Sequence, residues 1–307
     1  MQLNSRFMSV LVLTLLTTFI ACKKDSSQQE EQNPQLAAHT EDQTRVSSEM
    51  DAVNLDLNVA LEQSNSITGR LTGDSICAAT IAFDTLNATK KITITYNGAD
   101  CGGLHIRTGA VIISMASGVH WKDVGAELTV TYQNFKVIRN FDKKSITING
   151  THTLTNVNGG LLRDLLTGRP NITHAINSSN MSITFEDGTQ RTWQVARKRV
   201  YTLAGGGTIT ISGTHTDGLK TNIAEWGTDR FGNAFTTAIT EPLVISANCQ
   251  FRLTSGQIQH NRLAATASVT FGLDKDGKAI SCPAGNYYYK IVWTGAGGTS
   301  LIYMAPY

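Results

Sequence analysis

Apolar and polar residues alternate one by one through most of this chain. Ile92, Ile94 and Tyr96 are interleaved with Thr93 and Thr95, and Leu128, Val130 and Tyr132 with Glu127, Thr129 and Thr131. Ala265, Ala267, Val269 and Phe271 alternate in the same way with Thr266, Ser268 and Thr270. Successive side chains of a strand point to opposite faces, so each such segment has one buried and one solvated face, as in antiparallel sheet. Asn or Asp before Gly punctuates the pattern at Asn97-Gly98, Asn149-Gly150, Asn158-Gly159, Asp187-Gly188, Asp217-Gly218 and Asp276-Gly277. These pairs tolerate the positive φ of tight hairpins. The expectation over residues 67–307 is an all-β fold: an antiparallel β-meander of about a dozen strands, as a sandwich or a curved open sheet. Residues 161–180 break the rhythm, and there the pattern predicts a short helix and a long loop.

Ahead of the strands, Val46, Met50, Val53, Leu57 and Leu61 recur at helical spacing. They predict one amphipathic helix over 42–64, within a segment bounded at 41 and 66. Asp51 and Glu62 point away from that stripe, and Glu49 and Asp56 flank it. Residues 22–40 are polar, Gln-rich and without a hydrophobic period, which reads as a flexible tether. Residues 1–21 combine Arg6, an apolar run over 7–20 and a small residue before cysteine, the pattern of an export signal.

The ending Phe19-Ile20-Ala21-Cys22 resembles a bacterial lipobox, with Phe19 where leucine is commonest. That resemblance implies cleavage before Cys22 and its acylation. Each buried methylene contributes roughly 0.8 kcal/mol, so two or three chains anchor stably. Lys23, Lys24 and Asp25 resemble the start of mature Bacteroidetes lipoproteins, which implies an outer-membrane address with the cell surface favoured over the periplasmic face. The succession "ITITYNGADCGGLHIRTGAVIIS", "ELTVTYQNFKV", "SITINGTHTLTN", "MSITFEDGT" and "CQFRLTSGQIQ" is similar to a broad set of uncharacterised Bacteroidetes β-rich outer-membrane lipoproteins. The likeness covers roughly residues 91–282 and consists of strands and turns. It therefore implies a fold and an address, and no activity.

With Cys22 assigned to lipid, Cys77, Cys101, Cys249 and Cys282 allow three pairings in an oxidising compartment. Cys77 with Cys101 and Cys249 with Cys282 are favoured, because each pair brackets one local strand segment. No Cys-x-x-Cys occurs to suggest zinc.

Catalytic constellations are not found. Ser75 lies in a Gly-Asp-Ser sequence resembling that of GDSL-type hydrolases, yet no histidine has an aspartate three residues before it, so a polar loop residue is expected. His152 and His215 hold matching places in the echoes "SITINGTHT" and "TITISGTHT". A shared metal or pH-sensitive site is conceivable there, with solvated or cross-strand-paired histidines as the default. Residues 274–278 read as a charged hairpin turn lacking the closing Glu of a calcium loop. Glu186 and Asp187 pair two carboxylates on a turn. Two ligand-contact candidates remain. Arg197, Lys198 and Arg199 form either a positive patch for acidic polysaccharide or phospholipid, or a solvated strand edge. Tyr287, Tyr289, Ile291 and Trp293 share one face, suited to a ligand and equally to a core, with core packing favoured.

A net charge of +2 is too mild for a nucleic-acid footprint. Thr, Lys and Glu on the second strand face disfavour an integral membrane barrel. The resulting expectation is a lipid-anchored, non-enzymatic binding, adhesion or envelope-structural protein without cofactor or metal. Its partners would be the outer membrane, through its acyl chains, and a glycan, lipid or protein ligand. The alternatives are a carrier holding an apolar ligand on a concave sheet, with the helix as lid or plug, and an envelope glycan hydrolase.

Overall fold

The computed structural model describes residues 26–65, 76–84, 89–262, 265–295, 298 and 300–307. Helix α1 spans Ser26–Asn65. The first strands are β1 (Ala79–Asp84), β2 (Thr89–Ala99), β3 (His105–Ala116), β4 (Ala126–Arg139), β5 (Ser145–Asn156), β6 (Ile172–Phe185) and β7 (Gln190–Thr202). They are followed by β8 (Thr208–Gly213), β9 (His215–Asp217), β10 (Lys220–Thr228) and β11 (Ala234–Ser246). The last four are β12 (Arg252–Arg262), β13 (Ala265–Leu273), β14 (Tyr288–Thr294) and β15 (Ser300–Pro306).

All fifteen strands join one sheet in the order β1 to β7 and then β10 to β15, with β8 bridging β7 and β11 and β9 paired to β10. The meander is thus a single open sheet rather than a sandwich. Its edge strands, β1 and β15, do not pair with each other among the described residues.

Contacts to α1 show that this sheet is rolled. Asp56 meets Tyr96 on β2, Glu49 meets Arg107 on β3, and Arg45 reaches the Val137 carbonyl on β4. Gln43 and Asp51 meet Arg191 and Arg199 on β7, Ser47 meets Glu225 on β10, and His39 lies against Phe235 on β11 and His260 on β12. From β2 to β12 there are eight strand spacings. Laid flat they would cover roughly 40 Å, whereas the contacting helix residues, His39 to Asp56, span roughly 25 Å of its axis. Only a sheet curled around the helix reaches it from all these strands.

Bulges supply part of the bend, because an extra residue kinks its strand and increases the twist. Registers shift between Tyr132 and Phe135 on β4 and between Asn149 and Thr153 on β5. Gly150 has φ 117°, and a Cβ there would run into the Asn180 carbonyl. The equivalent glycine of the second echo, Gly213, packs equally tightly on the Asn222 carbonyl. Two pairs expected as turns, Asn97-Gly98 and Asn149-Gly150, therefore lie within β2 and β5. The freedom that suits Asn-Gly to hairpins suits it to a bulge as well. Asp187-Gly188 and Asp217-Gly218 do turn hairpins, between β6 and β7 and between β9 and β10.

Two boundaries differ from expectation. The helix begins at Ser26, so most of the segment read as a tether is helical. Among the described residues its buried positions there, His39 and Thr40, are polar and give no hydrophobic period. After a short 3-10 helix at Leu162–Thr167, β6 starts at Ile172 and runs through Asn180. A register shift between Ser178 and Met181 conceals the alternation.

The expected stripe on α1 is buried, with Val46, Met50, Val53, Leu57 and Leu61 at 3% exposure or less. Each such side chain contributes roughly 1.5–3 kcal/mol. Polar residues beside this stripe, Asp42, Gln43, Arg45, Glu49, Asn54 and Asn58, are buried as well, whereas Glu41, Thr44, Ser48 and Leu55 on the opposite side are exposed. The amphipathic helix thus turns the polar flanks of its stripe to a polar stretch of sheet and leaves a narrow outer face open. Disulfides Cys77–Cys101 and Cys249–Cys282, the two local pairs, close loops outside this core. Among the described residues no helix is long and apolar enough to cross a membrane.

Candidate functional site

A cleft of about 580 Å³ lies between one stretch of α1 and the concave face of β13 to β15. Volumes of this order suit small-molecule sites. Antiparallel register builds the apolar wall: Val269 opposes Ile291, which opposes Tyr303, while Trp293 follows one pleat further along β14. Phe271 and Tyr289 complete it with ring centroids 6.4 Å apart, and Trp293 and Tyr303 stack at 6.4 Å. Burial grades along the wall from Val269 at 1% exposure to Tyr303 at 50%. Burial also pushes the Tyr289 hydroxyl above its ordinary pKa.

The facing wall is polar. Glu41, Arg45 and Glu49 line it from the helix, with His105 of β3 and Arg139 of β4. Glu41 accepts hydrogen bonds from Arg139 at 2.7 Å and Lys144 at 3.2 Å. Burial works against its charge, but these cations hold it below the usual carboxylate range. Glu49 lies 3.2 Å from Arg107 and 3.4 Å from His105, whose other ring nitrogen meets Asp100 at 2.8 Å. Arg45 donates to the Lys144 carbonyl at 2.7 Å and stands 3.8 Å from Glu186; burial, and then the Arg139 charge, lower its pKa. These charges are fixed by their own partners. Chemically, the cleft offers apolar and aromatic surface opposite a row of immobilised dipoles.

The expected contact residues divide. Tyr289 and Trp293 line the cleft, whereas Tyr287, at 0% exposure, lies outside it. Its hydroxyl accepts the Cys282 N–H at 2.7 Å and lies 3.6 Å from the Cys249 sulfur, so its role is packing on the disulfide. Arg197, Lys198 and Arg199 form neither a surface patch nor a solvated edge. Strand alternation separates them, leaving Lys198 exposed while Arg197 and Arg199 turn inward, at 5% and 2% exposure, to meet Glu225 and Asp51.

His152 and His215 are not brought together. His152 is buried against Tyr132, whereas His215 stacks on Trp226 from β9, which pairs only with β10. Among the described residues no three His, Cys, Asp or Glu side chains are grouped to hold a metal. Residues 274–278 form the expected turn, the Asp274 carboxylate accepting the N–H groups of Asp276 and Lys278. Glu186 and Asp187 are occupied separately, by the Ser145 N–H and by Thr189. Cys22 and Ser75 lie outside the described residues.

Sequence reasoning missed Tyr303 and the whole polar wall. The uncharged run "SLIYMAP" on an edge strand was the available signal for the first, since edge strands usually carry charge. Comparison with protein-family models, with curated proteins and with solved structures finds no match for this chain.

Proposed function

We propose that this protein is a lipid-anchored, non-enzymatic binding module of the outer membrane, seating an amphipathic, acyl-bearing ligand between α1 and β13 to β15. The two-sided lining of the cleft carries this reading. Val269, Phe271 and Ile291 form a deep surface without hydrogen-bonding groups, which suits hydrocarbon, and the opposite wall suits a polar head. Because α1 fills the concave face along much of its length, it is the cleft's floor rather than a lid. The hydrolase alternative has less support. Glu41 and Glu49, the acidic residues of the cleft, are eight residues apart on one helix, roughly 12 Å along its axis, and each is held by cations. Paired glycosidase carboxylates stand roughly 5–9.5 Å apart.

Native mass spectrometry of protein extracted from membranes in mild detergent reads both parts of the proposal. The expected species is a chain beginning at an acylated Cys22 with one further amphiphile bound. Trp293→Ala with Tyr303→Ala, at the open end of the cleft, should reduce that occupancy at least tenfold while the covalent acyl mass stays. A ligand-free parent that also fails to bind long-chain probes would overturn the cleft reading, and retention of a glycan would replace the ligand class.

A further inference from the structure

Along one stretch of the inner face, arginines and carboxylates can be matched in pairs. Arg197 meets Glu225, Arg199 meets Asp51, Arg230 meets Asp42 and Arg262 meets Asp229. Arg191 of β7 remains. It is 2% exposed and has no carboxylate in contact among the described residues. One terminal nitrogen donates to the Gln43 side-chain oxygen at 2.6 Å, and its guanidinium carbon stands 4.7 Å over the Phe235 ring. Its Nε and its other terminal nitrogen have no hydrogen-bond partner.

Two histidines share that neighbourhood. His39 of α1 has its ring 4.7 Å from Phe235 and 5.8 Å from His260 of β12, and both histidines are at 0% exposure. Neither nitrogen of His39 has a partner, nor has Nε2 of His260, whose Nδ1 meets the Thr237 hydroxyl at 2.8 Å. Five polar atoms of these three side chains are therefore buried without partners. A neutral imidazole keeps one N–H, so Arg191, His39 and His260 can each present a donor. A buried guanidinium without a carboxylate in contact is costly, as are buried donors lacking acceptors.

We propose that Arg191, His39 and His260 form an internal anion site that takes one small monovalent anion, with chloride or bromide as its simplest occupant. Of these five arginines Arg191 alone has no carboxylate in contact, which matches a single negative charge, and complete burial keeps the ligand small. The present field agrees with this assignment. Burial, followed by the charges of His260, Arg191 and Arg262, drives the His39 pKa down to about 2, and burial lowers Arg191 to about 10 against the opposing charges of Glu225, Asp42 and Asp229. An anion at this place would oppose both effects. The site is independent of the cleft.

The test compares thermal unfolding of the intact mature chain in sodium chloride, sodium bromide and sodium gluconate at equal ionic strength, where screening is common to all three. The parent should unfold about 5 °C higher in saturating halide than in gluconate. Arg191→Met, which removes the leftover charge, should unfold at one temperature in all three salts. His260→Phe, which keeps the charge but removes a donor, should weaken halide affinity at least tenfold and serves where the first variant folds poorly. In crystals grown in bromide, anomalous scattering should show one peak beside Arg191. A parent with equal unfolding temperatures in the three salts, or waters alone at that position in bromide crystals, would overturn the site.

Discussion

Replacing His152 and His174 together by leucine is expected to make the protein about 5 kcal/mol more stable than its parent at pH 4.5, with little change at pH 7. His152 packs 5.5 Å from Tyr132, and His174 lies between Trp121 at 4.9 Å and Tyr201 at 5.0 Å. Neither ring has a hydrogen-bond partner among the described residues. Burial, reinforced by the Arg199 charge, pushes both imidazoles from 6.5 down to about 3.

The sign follows from which state takes up protons. Above pH 6.5 both rings are neutral whether the chain is folded or not, and they leave stability unchanged with pH. Between 6.5 and about 3 only the unfolded chain binds two protons, so the fold loses roughly 3 kcal/mol per pH unit. Over two units this approaches the whole stability of an ordinary domain. At pH 7 the exchange removes buried polar atoms without partners, and replacing such groups by apolar ones is neutral to modestly stabilising, a contribution common to both pH values. Urea unfolding of parent and variant at both pH values reads the difference directly. It also cancels Asp42 and Asp56, whose carboxyls burial pushes up and which act in the opposite sense. Identical pH dependence in the two proteins would show that the imidazoles are hydrated or charged in the fold.

Arg197→Met should cost about 3–5 kcal/mol, because it leaves the Glu225 carboxylate buried without its counter-charge. Glu225 is 0% exposed, and its remaining support is the Ser47 hydroxyl, which donates to it at 2.8 Å from α1. Arg197 also donates to that hydroxyl at 3.1 Å and stands 3.5 Å from Asp51, so the group joins helix to sheet as one network. Adding Glu225→Gln removes the stranded charge and should restore more than half of the loss. The double-mutant cycle therefore carries the argument. A single variant within 1 kcal/mol of its parent would mean that the pair is solvated and that helix and sheet are not joined there.

Sequence alternation was sufficient for the antiparallel meander, because β2, β4 and β13 each bury an apolar row. It was insufficient where both faces of a strand are polar. On β7 the period of two separates Arg197 and Arg199 from Lys198, but it does not say which side is inside. Charge is usually assigned outward, and here acids on the helix reverse that assignment. The same effect hid α1 ahead of Asp42, whose contacts are made through Gln35, His39 and Glu41 rather than an apolar stripe. The local disulfides were accessible from chain spacing. The cleft was not, because Arg139 meets Trp293 and Tyr303 only through the curvature of a fifteen-stranded sheet. Tyr289 and Trp293 could be proposed as ligand contacts from the aromatic face of β14, yet nothing in that run separated them from Tyr287.

The central claim is that α1 is the hub on which the sheet is rolled, and that it forms the fixed floor of the cleft. Hydrogen exchange across the protein tests it most directly, because amides that open only by global unfolding share one free energy. Amides of α1 from His39 to Leu61 should exchange as slowly as those of β4 to β7, and should be released together with them as denaturant is added. Helix amides that exchange orders of magnitude faster, while the strands keep their protection, would instead make α1 a detachable element and the roll stable without it.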